Sequence, residues 1–149
     1  MDRVVVGFDG SGGAEQALQE AISEAKLRGA ELRVVSAWRM PVDVYGGAGG
    51  FAPPVDGSTF DLLRDSVTQS VNDAVARARE AGVQAEGDVV EGSPANVLLD
   101  EAENATLVVV GNRGHGGVGS LFLGSVSHQV VNRAPCPVLV VRLPQPEKK

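Results

Sequence analysis

Cysteine is nearly missing from this chain. Cys136 is the only one in 149 residues, so neither an intramolecular disulfide nor a CxxC metal site can form. Its place between Pro135 and Pro137, at the start of an apolar run, suits a small packing residue. Histidine is almost as scarce: His115 and His128 are the only two, too few to assemble a convincing metal site. Positive charge is outnumbered, with 13 Lys and Arg against 19 Asp and Glu, and the formal charge of −6 argues against a broad nucleic-acid surface. An anionic ligand would have to be held locally. No stretch approaches the ~20 apolar residues that a membrane span needs. The opening MDRVVVGFDG lacks the apolar core of a signal peptide, so the expected location is cytoplasmic. No GxxxxGK[ST] P-loop and no GxSxG nucleophile elbow occur.

What is present is one alternating pattern. With 43% hydrophobic and 21% charged residues, the chain suits a single compact core. Arg3 to Phe8 reads as a first strand, followed by the turn Asp9 to Gly13 and a helix from Ala14 to about Arg28. Ala14, Leu18, Ala21, Ile22 and Ala25 form its apolar stripe, and Gly29 its stop. Glu31 to Ala37 is a second strand. A longer helix is expected from Thr59 to Ala81, with Ser58 as N-cap, Gly82 as stop, and Phe60, Leu63, Val67, Val71, Val75 and Ala78 inward. A third strand covers roughly Gln84 to Val90, and Ser93-Pro94 opens a short helix to about Glu103. Thr106 to Val110 (TLVVV) and Pro137 to Val141 (PVLVV) are β-branched runs without alternation, as in strands buried on both faces of a parallel sheet. Strands alternating with helices predict an α/β fold with a doubly wound, five-stranded parallel sheet covered by helices on both faces. Between Trp38 and Gly57 the period is lost in a Gly- and Pro-rich stretch, read as a long loop or lid over 39–57. Residues 143–149 (LPQPEKK) are expected to form a disordered tail beyond a domain of residues 1–142.

The densest chemistry lies between the last two strands. Gly111, Gly114, Gly116, Gly117 and Gly119 make a loop with few Cβ atoms, so its backbone can approach a ligand closely. Gly124-Ser125-Val126-Ser127 then opens an apolar-periodic segment, a helix with Ser125 near its start. Unpaired N–H groups, the helix dipole and two hydroxyls favour a phosphate there. Arg113 is the cation on that loop. GHGGVG (Gly114 to Gly119) spells GxGxxG, but it follows the fourth strand and has no acid about 20 residues on, which argues against dinucleotide binding.

The spacing Gly111-x2-Gly114-x9-Gly124-Ser125 matches the ATP-binding signature of the universal stress protein family. VVVGFDGS (Val4 to Ser11) resembles that family's first strand and acidic turn, and APCPVLVVR (Ala134 to Arg142) its last strand. The resemblance implies a Rossmann-like domain with strand order 3-2-1-4-5, ATP as ligand, with Mg2+, and a homodimer paired through the last strand, Pro137 to Val141. It implies that Asp9 and the Gly111 loop face each other across one crevice, Asp9 accepting from ribose hydroxyls; the alternative for Asp9 is a turn residue capping the first helix. Ala37 matches the position that borders the adenine, the alternative being a small buried strand residue. Val126 and Ser127 join Ser125 on the phosphates, Gly7 and Phe8 lead into Asp9, with Phe8 read as core, and Val110 leads into the glycine loop. SGGAEQ (Ser11 to Gln16) partly resembles the SGGxDS loop of ATP pyrophosphatases, but Glu15 and Gln16 replace the last two positions.

Three functions follow as expectations. The first is an ATP-binding stress-response or regulatory module whose occupancy alters its dimer or its partners. The second is a slow ATPase or self-phosphorylating enzyme, and the third a dimeric scaffold without nucleotide. Fast phosphoryl transfer needs metal ligands, a positioned acceptor and charge-stabilising cations. The loop has no lysine and the chain no obvious base, which favours binding.

Overall fold

The computed structural model describes residues 2–9, 12–38, 57–112 and 124–142. Of the proposed loop over 39–57, residues 39–56 lie outside them and Gly57 opens a helix; the tail 143–149 also lies outside. In chain order the elements are β1 (Arg3–Gly7), α1 (Gly12–Arg28), β2 (Glu31–Trp38), α2 (Gly57–Glu80), β3 (Ala85–Glu91), α3 (Pro94–Ala102), β4 (Leu107–Gly111), α4 (Ser125–Arg133) and β5 (Val138–Val141). The strands form one parallel sheet in the order β3-β2-β1-β4-β5. This is the expected doubly wound, Rossmann-like α/β architecture.

The strand sequences explain the two layers. Successive side chains point to opposite faces. Val4, Val6, Phe8, Leu32, Val34, Leu107 and Val109 therefore meet the stripes of α1 (Ala14, Ala17, Leu18, Ala21, Ala25) and α2 (Val71, Ala74, Val75, Ala78). Val5, Val35, Val108 and Val110 meet Val97, Leu98 and Ala102 of α3 and Val130 of α4. Central strands buried on both sides need unbroken Val runs, and Val4, Val5, Val6, Val108 and Val109 are all 0% exposed. Alanine on the helices lets them ride close to the sheet. α2 packs tightly over Gly87, where an added Cβ would collide with Val71 and lie 3.1 Å from Val75.

The helix stops follow the sequence reading. Gly29 and Gly82 have positive φ, and Ala30 N–H to Ala25 O (2.9 Å) and Val83 N–H to Ala78 O (3.0 Å) close the wide loops of Schellman ends. Ser93 caps α3, its hydroxyl accepting from Asn96 N–H at 3.3 Å, with Pro94 in the first turn. Other expectations are corrected. α1 begins at Gly12, taking in glycines read as turn. α2 begins at Gly57, so Ser58 lies inside the helix instead of capping it. Leu63, expected inward, is 42% exposed, and Leu62 69%. A helix of 24 residues runs about 36 Å, whereas β2, with 8, spans about 26 Å. The first turns of α2 overhang the sheet, and only from Val71 onward is the stripe buried.

One polar cluster ties α3 to the β2–β3 edge. Arg33 lies 3.3 Å from Glu86, 3.2 Å from Asp88 and 3.3 Å from Glu101. Burial pushes the Glu101 carboxyl above the ordinary glutamate range; a hydrogen bond shared with Asp88 adds to the rise, and Arg33 opposes it. Burial likewise raises the Cys136 thiol, keeping it protonated and inert at neutral pH.

Two outcomes are expected. Gly87→Val should destabilise the fold by about 1–3 kcal/mol through overpacking; an unchanged urea midpoint would show that α2 moves away freely. Because folded Glu101 holds its proton more tightly than the unfolded chain does, its contribution is full below the ordinary glutamate range and is lost as pH rises through the folded value. Glu101→Gln stays neutral throughout, so its stability relative to the parent should improve from about pH 4 to 7. A difference that stays constant across that range would exclude the effect.

Candidate functional site

In a doubly wound sheet the ligand crevice opens where the winding reverses, beyond the carboxyl ends of the strands. Here that point lies between β1 and β4, the central pair. β1 ends at Gly7, while β2 continues to Trp38 and β4 to Gly111. β1 pairs Gly7 with Val35 on one side and Val6 with Val109 on the other. Extending that register sets Asp9 level with Ala37 and with Asn112. The strands thus bring three neighbourhoods singled out in the sequence to one height around a gap above β1.

Each wall has its own chemistry. Asp9 is exposed just past β1. Phe8 is 4% exposed and belongs to the core, as expected from its alternation. Gly7 lies over α3, where an added Cβ would come 2.9 Å from Leu98 Cδ1. Ala37 is half-buried and paired with Val90. Val35 O accepts from Phe8 N–H (2.9 Å) on the β1 side, and Trp38 O from Gly92 N–H (2.9 Å) on the β3 side. Alternation therefore turns the main-chain groups of Ala37 toward β1, at a height that β1 does not reach.

On the opposite wall Val110 is 4% exposed and Gly111 closes β4. A Cβ on Gly111 would stand 2.8 Å from Gly13 O and 2.9 Å from Gly13 C, so only glycine lets the end of β4 meet the first turn of α1. Arg113 and Gly114 lie outside the described residues, as does His115. Gly124 is the N-cap of α4, with φ −63° and ψ 163° and no side-chain cap hydrogen bond, and α4 has no acid in its first turn. The N–H groups of Ser125, Val126 and Ser127 are those that a helix start leaves without intrahelical partners, and nothing negative on the first turn competes for them. Ser125 is exposed, Val126 half-buried and Ser127 2% exposed. The Ser127 hydroxyl shares its one hydrogen between Gly124 O (3.1 Å) and Asn112 O (3.3 Å), so here it braces the loop base.

Asn112 is the residue that sequence reading passed over. It is 4% exposed, its N–H donates to Val141 O (2.9 Å) and its carbonyl accepts from Gly124 N–H (2.7 Å). The available signal was an amide directly after the strand Leu107 to Gly111, one glycine beyond its four apolar residues. Among the described residues no group of three His, Cys, Asp or Glu is arranged to hold a metal ion, and no helix is long and apolar enough to cross a membrane.

The universal stress protein family model matches residues 1–142. The chain is 35% identical to Universal stress protein YxiE of Bacillus subtilis (strain 168), over 95% of this chain and 99% of that one. Among solved structures, a universal stress protein in complex with cAMP is 28% identical, with TM-score 0.70 over 95% of this chain and 96% of that one. A universal stress protein from Archaeoglobus fulgidus in complex with dAMP is 26% identical, with TM-score 0.67 over 94% and 97%. A match running from the first strand through the last, in a chain with this sheet order, places the protein in the universal stress protein family.

Proposed function

We propose that this protein is an adenine-nucleotide receptor, binding ATP with Mg2+ above β1 and acting by occupancy in a stress-response or regulatory role. The observation that carries this reading is the first turn of α4, a nine-residue helix whose N-cap offers no side-chain acceptor and whose first turn has no acid. Such a helix start suits a phosphate. The glycine contact between Gly111 and Gly13, which any Cβ would fill, brings the end of β4, from which the chain leads to α4, against the first turn of α1. That two solved relatives hold cAMP and dAMP supports an adenine nucleotide in particular.

In this reading the N–H groups of Ser125, Val126 and Ser127 and the Ser125 hydroxyl hold the phosphates. Gly114 gives close backbone approach and Arg113 positive charge. Asp9 accepts from the ribose hydroxyls, the main chain of Ala37 borders the adenine, and Gly7 and Val110 form the floor beneath. Mg2+ would neutralise phosphate charge. The nucleotide-binding unit is residues 1–142, with 143–149 as a tail, and the protein acts in the cytoplasm. It dimerises through β5, the outer strand of the sheet. Val138, Leu139 and Val140 there are only half-buried, and an apolar edge with unpaired backbone groups invites a second strand.

Denaturing the purified protein should release an adenine nucleotide identifiable by chromatography, and the stripped protein should bind ATP in the presence of Mg2+. Gly124→Val should weaken that binding about 100-fold or more, equivalent to ~2.7 kcal/mol. Undiminished affinity in a folded variant would remove the α4 start from the site. Hydrolysis followed in the same sample separates a receptor from a slow ATPase. Light scattering at micromolar concentration should give about twice the 15.4 kDa chain mass; a monomer mass would exclude the β5 dimer.

A further inference from the structure

We propose that Asn112 is the positioning residue through which occupancy of the α4 start is passed to the edge strand β5, an inference that rests on the nucleotide reading above. Among the described residues the buried polar ones are Ser36, Asn112 and Ser127, and the Ser127 hydroxyl reaches the Asn112 main-chain carbonyl. Both main-chain groups of Asn112 are committed there. Its N–H donates to Val141 O at 2.9 Å, the last link of β5 to the sheet. Its carbonyl accepts from Gly124 N–H at 2.7 Å and from Ser127 Oγ at 3.3 Å, joining the two ends of the glycine loop and the first turn of α4. A ligand held on that first turn therefore pulls on the residue that also fastens β5.

The side chain is the anomaly. Asn112 is 4% exposed, and its Oδ1 is buried without a hydrogen-bond partner. Buried acceptors are almost always paired, and a dry one raises the free energy of the arrangement that holds it. By strand alternation the carboxamide lies on the face of Val108 and Val110, under α3 and α4. Any shift of the α4 start that brings a donor to Oδ1 lowers that cost, and the hydrogen bonds from Gly124 and Ser127 connect that start to the Asn112 carbonyl. A phosphate bound on α4 that favours the paired arrangement would then have a differential interaction with which to shift Asn112. β5 is sensitive to that shift because it has only four residues and pairs on one side, with β4.

The test is amide hydrogen exchange on the full chain, with and without saturating ATP and Mg2+. Bound ATP is expected to slow exchange at Leu139 to Val141 about tenfold more than at Val4 to Val6, a coupling of ordinary size. Asn112→Leu keeps the side-chain shape and removes the acceptor. It should still bind ATP and lose the extra slowing in β5. Asn112→Ser is the second variant should the leucine disturb folding, and the parent protein needs no variant at all. Bound ATP without the β5 response in the parent overturns the inference, as does an undiminished response in a folded, ATP-binding variant. A parent protein that binds no ATP withdraws the nucleotide reading, and this inference with it.

Discussion

The pairing of β1 with β4 is the contact on which the rest of the molecule depends. It reverses the winding of the sheet, so α1 and α2 fall on one face and α3 and α4 on the other. It also sets the starts of α1 and α4 at the same end of the sheet, since each helix follows one of these two parallel strands. Two strands can serve as the axis of such a fold only when both faces are apolar, because each must be covered completely. VVV in β1 and LVVV in β4 meet that demand without a polar interruption. The cost falls on the ends of these strands, where the chain turns abruptly into loops and where polar groups first appear.

Much of this could be read from the residues. Uninterrupted Val runs identified the buried strands, Gly29 and Gly82 the helix stops, and Ser93-Pro94 the start of α3. These signals are local, so a single segment suffices to interpret them. The failures came where the outcome depends on the length of something else. Leu63 has the right period for the inner face of α2, yet it is exposed because the helix overruns the strands beneath it. Ser58 looked like a cap because serine usually is one; the helix extends past it. The bracing roles of Asn112 and of the Ser127 hydroxyl were not legible, since they rest on hydrogen bonds to Val141, Gly124 and each other across the fold.

The candidate site shows a division of labour among small residues. Gly111 is required by the packing of β4 against α1, before any ligand is considered. Gly124 supplies a helix start without a competing side chain. Ser127, which resembles a ligand contact in sequence, is turned inward to brace the loop base. One glycine-rich stretch therefore combines residues that shape the backbone with residues that leave its N–H groups available. A serine and a glycine side by side do not announce which of these tasks each performs.

The composition of the core has a chemical consequence. Among the described residues, every buried apolar side chain is Val, Leu, Ala or Phe8; none is Met, Cys, Trp or Tyr. Oxidants act readily on thiolates and thioethers, and a methionine converted to its sulfoxide becomes a polar wedge in whatever it was packed against. Among the described residues no fully buried side chain offers a sulfur to attack. The lone thiol, Cys136, is half-buried beside β5 and kept protonated. Peroxide that disorders sulfur-bearing cores would leave the packing between these helices and this sheet chemically unchanged.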